Sequence, residues 1–169
     1  MPRTGLLALA ILVLLAPAAA ASEWGTIAPG TSTMESVRAQ YGQPTRAEGQ
    51  KIEGYDAMQW VYEGAKAPGG IQRMTIDFGL LTAAGFKKEV VRSFRLDPKP
   101  NIFHRPSILN GWGLPTKVGR DGELEIFLYE DGLLVYFDKA GWVVQTMIFT
   151  PPQPVSAEPS RPAPAAPQR

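Results

Sequence analysis

A short motif occurs twice in this chain and constrains its fold more tightly than any bulk property does. Tyr41-Gly42-Gln43-Pro44-Thr45-Arg46 returns as Trp112-Gly113-Leu114-Pro115-Thr116-Lys117: aromatic, Gly, one residue, Pro, Thr, base. A Tyr-Glu pair follows each copy, at Tyr62-Glu63 and Tyr129-Glu130. Strands ending at Phe78 and Phe137 come next, and third strands ending at Phe94 and Phe149. Self-similarity at this scale marks a supersecondary unit used more than once.

The first unit opens on a helix. Ser32 is an N-cap candidate, and Glu35 three residues on completes a capping box. Met34, Val37 and Tyr41 then recur at helical spacing, while Gly42 and Pro44 stop the helix. After a polar loop, Met58, Trp60 and Tyr62 alternate with Gln59 and Val61. Met74, Ile76 and Phe78 alternate in the same way with Arg73, Thr75 and Asp77, the period of a sheet with one buried face. Pro68-Gly69-Gly70 turns between these strands, Gly79 to Gly85 makes the next connection, and residues 89–96 form the third strand. The second unit has a stiff Asp97-Pro98-Lys99-Pro100 linker and a helix over 106–112. Its strands lie at 123–129, 133–137 and 142–149, with Asp131-Gly132 as a tight turn. The expectation is an α+β fold of two tandem repeats, 22–97 and 98–150. Each is a short helix packed on a three-stranded antiparallel meander.

The two units differ on one sheet face. Registering Tyr62 with Tyr129, Phe78 with Phe137 and Phe94 with Phe149 points Phe127, Tyr129, Leu133, Val135 and Phe137 to the core. The opposite face of the second unit then carries Ile126, Leu128, Leu134, Tyr136, Val144 and Ile148. In the first unit that face reads Gln59, Arg73, Thr75, Asp77, Ser93 and Arg95, with Val61 and Val91 as its apolar members. Six apolar side chains on one face exceed what a soluble monomer ordinarily leaves bare. The candidate covers are the first unit, the proline-rich tail, a second copy giving a homo-oligomer, or a foreign protein. These six residues are the candidate partner-binding site.

The ends of the chain speak to compartment. Residues 1–21 read as a secretory signal peptide: Arg3, an apolar run from Leu6 to Leu15, the helix-breaking Pro17, then small alanines. The apolar run is shorter than the ~20 residues a bilayer span needs. No cysteine follows it for lipid attachment, so the expected product is soluble in the periplasm or secreted. Residues 151–169 are rich in Pro, Ala and Ser, the composition of an extended or disordered tail. Without Arg3, 16 basic residues stand against 16 acidic ones. That neutral balance argues against nucleic acid or an anionic membrane surface as partner. With no cysteine in the chain, packing alone holds the fold.

The residues named for catalysis are few. His104 is the one histidine, lies between Phe103 and Arg105 in the linker, and has no nucleophile motif near it. No phosphate-cradling loop, dinucleotide fingerprint or calcium-loop spacing occurs. Trp60, Trp112 and Trp142 have the chemistry to stack on sugars, but aromatics at strand and helix positions ordinarily serve the core. No catalytic residue, cofactor or metal is expected.

Gly30, Val37, Tyr41, Gly42, Pro44, Trp60, Tyr62 and Phe78 together give a pattern that resembles the SmpA/OmlA (BamE-like) domain. The tandem arrangement is similar to the β-lactamase inhibitor protein fold, which implies two helix-plus-sheet repeats in one extended concave sheet. The resemblance implies a non-enzymatic envelope protein that binds other proteins, as an assembly factor or as an enzyme inhibitor. The expectation drawn from both lines is a protein-binding module of the cell envelope, docking an envelope partner through a sheet face. The competing expectations are an inhibitor of a periplasmic or secreted enzyme, and a hydrolase or carbohydrate binder.

Overall fold

The computed structural model describes residues 24–152. The leader expected over 1–21 and the tail beyond residue 152 lie outside the described residues. In chain order the elements are α1 (Met34–Tyr41), β1 (Arg46–Ile52), β2 (Tyr55–Glu63), β3 (Ile71–Thr82), β4 (Gly85–Pro98), α2 (Arg105–Trp112), β5 (Lys117–Asp121), β6 (Leu124–Leu128), β7 (Leu133–Phe137) and β8 (Val144–Phe149). All eight strands form one antiparallel sheet in the order β1-β2-β3-β4-β8-β7-β6-β5. The expected pair of three-stranded meanders, each under its own helix, is therefore overturned. Among the described residues one large sheet dominates, and two short α-helices accompany it.

The miss has a physical cause. β1 reads Arg-Ala-Glu-Gly-Gln-Lys-Ile and β5 reads Lys-Val-Gly-Arg-Asp, nearly all exposed. Both are edge strands, and neither buries a face, so neither shows an apolar period of two. Their charges protect the open sheet edges from pairing with another chain. β3 and β4 also run further than expected, to a tight turn between Thr82 and Gly85, so Gly79 lies inside a strand. A Cβ built on Gly79 would sit 2.8 Å from a ring atom of Phe86.

Both helices pack on one face. Val37 of α1 and Ile108 of α2 join Trp60, Tyr62, Ile76, Phe78, Phe94, Phe127, Val135, Phe137 and Phe149 in a single core. Each fully buried side chain of this kind contributes about 1.5–3 kcal/mol. The N-cap of α1 is Thr33 with Ser36, one residue later than the expected Ser32 with Glu35. Ser32 instead accepts a hydrogen bond from the Ala28 N–H at 3.0 Å.

The repeated motif is a joint between helix and sheet. Gly42 and Gly113 stop the helices with φ of 71° and 76°, a conformation that favours glycine. The Tyr62 hydroxyl donates to the Gly42 carbonyl at 3.1 Å, and the Tyr129 hydroxyl to the Gly113 carbonyl at 3.0 Å. Thr45 accepts from the Glu63 N–H at 3.1 Å, and Thr116 from the Glu130 N–H at 3.2 Å. Burial pushes both tyrosine hydroxyls up to about 12.

β4 and β8 meet at the middle of the sheet, where Arg95 stands opposite Ile148, Phe94 opposite Phe149 and Leu96 opposite Met147. In their own hairpins, Ile76 pairs with Phe94 as Val135 pairs with Met147, and Met74 with Leu96 as Leu133 with Phe149. Phe94 thus corresponds to Met147 and Leu96 to Phe149, a register two residues away from the expected match of Phe94 with Phe149. Those two phenylalanines are instead neighbours across the central strand pair, stacked with ring centres 4.4 Å apart. Arg95 and Ile148 correspond to each other and face each other, so a pseudo-two-fold axis passes between them.

Candidate functional site

The outer face of the sheet, opposite the helices, carries the candidate site. One row of outward positions crosses all eight strands: Arg46, Val61, Thr75, Arg95, Ile148, Leu134, Leu128 and Lys117. Read from the pseudo-axis outward, Arg95 answers Ile148, Thr75 answers Leu134, Val61 answers Leu128 and Arg46 answers Lys117. The next row holds Gln59, Asp77 and Ser93 in one half and Ile126, Tyr136 and Thr146 in the other.

In the first half these positions make a hydrogen-bonded lattice. Asp77 accepts from Gln59 at 2.8 Å, Gln50 at 3.2 Å and Ser93 at 3.3 Å. Arg95 donates to Asp97 at 2.7 Å and to Thr146 at 3.2 Å, and Thr146 donates to Asp97 at 2.9 Å. Arg73 pairs with Glu63 at 3.3 Å. Most of the charge on this half has a partner of opposite sign on the same face.

In the second half the structure brings five of the six candidate residues together. Ile126, Leu128, Leu134, Tyr136 and Ile148 share the outer face and are cross-strand neighbours. Ile126 is 8% exposed, and the other four are half-buried. Val144 is not with them. Tyr136 pairs with Thr146 but Phe137 pairs with Val144, so Gln145 is an extra residue in β8, a bulge that reverses the alternation. Val144 consequently points into the core. The first half has the same device: Asp77 pairs with Ser93 and Phe78 with Val91. Arg92 is therefore the extra residue, and Val91 too is a core residue rather than an outward one.

Two grooves flank the apolar patch. One, of about 280 Å³, is lined by Arg95, Asp121, Leu124, Tyr136, Thr146 and Ile148. The other, of about 510 Å³, shares Arg95 and Thr146 and adds Asp97 and Asp138. The Trp142 N–H holds the Asp138 carboxyl below its ordinary range. Leu124 and Arg95 are lining residues that the sequence reading left out of the site. Leu124 has the parity of Ile126 and Leu128, a signal that was present but unused. Gly119 makes room for this surface, since a Cβ there would lie 3.3 Å from Leu128 Cδ1.

The other singled-out residues fall elsewhere. Trp60 lies in the core, and Trp112 packs against it. Trp142 is 51% exposed, with its ring 6.3 Å from that of His104. His104 is the N-cap residue of α2 and makes no side-chain cap bond. Among the described residues no group of three or more His, Cys, Asp or Glu side chains is placed to hold a metal. Among them, too, no helix is long and apolar enough to cross a membrane.

No family model matches the chain, and no curated protein matches it. A solved structure similar to it is that of a DUF4309 family protein (YjgB) from Bacillus subtilis. The two are 12% identical over 75% of this chain and 83% of that one, with a TM-score of 0.48. With no family model matching the chain, the resemblance to the SmpA/OmlA domain and to the β-lactamase inhibitor protein fold is overturned. Of its motif residues, Gly42 and Tyr62 belong to the helix-to-sheet joint, and Val37, Trp60 and Phe78 belong to the core.

Proposed function

We propose that this chain is a non-catalytic protein-binding module of the periplasm or secreted space, docking a partner protein through the outer face of β6–β8. One observation carries the reading. The same backbone frame occurs on both sides of the pseudo-axis, and one side folds with Gln59, Asp77, Thr75 and Arg95 where the other has Ile126, Tyr136, Leu134 and Ile148. The fold therefore has no need of apolar side chains at these places, and a need outside the fold accounts for them. Interface centres are apolar and aromatic with a polar rim. Tyr136 and Leu134 are the anchors, Leu128 lies beside them where the first half keeps the apolar Val61, and Lys117, Arg95 and Asp121 stand at the rim. The leader-like residues 1–21 support an extracytoplasmic location.

The test is affinity capture from an envelope extract with the wild-type chain, Tyr136→Asp, and a control change on the polar half, Arg73→Gln. The reading expects one band retained by wild type and control and lost with Tyr136→Asp, the variant remaining folded by circular dichroism. Equal capture by all three chains contradicts it.

A further inference from the structure

We infer that the groove of about 510 Å³ beside the apolar patch binds a neutral saccharide, held by the amides of Gln72, Asn101 and Gln145 together with Arg95, Asp97 and Asp138. The inference goes beyond the docking reading and borrows no step from it. Irregular backbone is what brings the amides to this place. β3 pairs Ile71 with Pro98 but Arg73 with Asp97, so Gln72 is an extra residue in that strand. Gln145 is the extra residue of β8. Bulges re-aim side chains and are over-represented beside active sites. Asn101 has φ 59°, a left-handed conformation uncommon outside glycine. Three irregular positions in three separate segments thus present three carboxamides to one groove. None of these amides makes a hydrogen bond among the described residues.

The carboxylates are already fixed in position. Arg95 and Thr146 both donate to Asp97 Oδ1, at 2.7 and 2.9 Å, while Asp97 Oδ2 makes no hydrogen bond among the described residues. The Trp142 and Val143 N–H groups both donate to Asp138 Oδ1, at 2.8 and 3.1 Å. Each carboxylate therefore keeps acceptor sites to spare, and each carboxamide adds two N–H donors and a carbonyl acceptor. A hydroxyl donates once and accepts twice, so a polyhydroxylated ligand matches a wall of mixed donors and acceptors. Charge narrows the class. Two carboxylates against one guanidinium repel an anion. Among the described residues no third acidic, His or Cys side chain joins Asp97 and Asp138 to hold a metal ion. The volume lies within the roughly 300–1,000 Å³ of small-molecule sites.

The experiment is an amide NMR titration of the purified protein with three neutral tetrasaccharides, chitotetraose, cellotetraose and maltotetraose, and with tetralysine as a charged comparison. The expected result is saturating shifts at Gln72, Asp97, Asn101, Asp138 and Gln145 with at least one saccharide, and none with tetralysine. Asn101→Gly keeps the left-handed turn and removes only the amide. That change and Gln145→Ala should each weaken binding roughly two- to tenfold, the worth of one net hydrogen bond. Asn110→Ala, exposed on α2 across the sheet, should leave it unchanged. No saturating shift with any of the three saccharides, or shifts with tetralysine as large as theirs, overturns the inference. So does binding that is lost with Tyr136→Asp but kept by Asn101→Gly and Gln145→Ala, which puts the sugar on the apolar patch. Protein capture that survives Asn101→Gly and Gln145→Ala leaves the docking reading standing whichever way the titration falls.

Discussion

Exchanging Ile126→Gln together with Tyr136→Asp gives the second half the side chains that the first half carries at Gln59 and Asp77, and should leave the protein folded. A fully buried side chain of this size contributes about 1.5–3 kcal/mol. Ile126 is close to that limit, and Tyr136 is half-buried, so the two together lose about 3–4 kcal/mol of apolar burial. The new pair can form the bond that Gln59 makes to Asp77 at 2.8 Å, and a hydrogen bond to a charged group returns about 1.5–3 kcal/mol. The net cost is then at most about 2.5 kcal/mol, a fall in melting temperature of no more than roughly 12 °C for a domain of this size. Phe137→Ala in the core, by contrast, costs about 3–5 kcal/mol. Urea denaturation of wild type, the double variant and Phe137→Ala measures all three. A double variant as unstable as Phe137→Ala would show that the outer face of β6–β8 is part of the core, and the argument from the first half would fail.

Gly132→Ala should be among the most damaging single-atom additions, costing about 2 kcal/mol or more by thermal or urea unfolding. Gly132 has φ +99°, and the new Cβ would overlap the Thr150 carbonyl oxygen. Gly54→Ala, at φ +87° with nothing within 4 Å, should cost less. Tyr62 and Tyr129 should titrate late. Their hydroxyls ionise near 10 in the unfolded chain and at about 12 in the folded one. Their contribution to stability is therefore complete below pH 10 and is lost as pH rises from 10 to 12. Absorbance of tyrosinate against pH, with Tyr62→Phe and Tyr129→Phe, should remove one late-titrating group each. Two groups titrating normally near 10 would refute the burial argument. Each of these Phe variants should also lose about 1 kcal/mol with the bond to the helix-end carbonyl.

The parts of this fold legible in the sequence are those written in apolar spacing and in glycine and proline. Both helices, the six inner strands and the Asp131-Gly132 turn follow from such signals. β1 and β5 do not, because an edge strand with both faces wet has no burial pattern to reveal. The bulges at Arg92 and Gln145 are silent as well: each adds one residue of ordinary chemistry and flips every neighbour's face. That is why Val91 and Val144 belong to the core although strict alternation places them outside. Similarity of residue type misled the alignment of the third strands, since Phe94 and Phe149 look equivalent but are cross-strand partners. The outer patch was legible because Ile126, Leu128, Leu134, Tyr136 and Ile148 lie clear of both bulges. Arg95 was harder to assign, because its place beside Ile148 depends on the pairing of β4 with β8, which no local pattern encodes.

A photoreactive side chain placed at 136, or in a second chain at the matching position 77, tests the central claim in cells that make the protein. Irradiation should yield a single covalent adduct from position 136 and none from 77. Adducts of equal yield at both positions, or at neither, would contradict the assignment of this face to a partner.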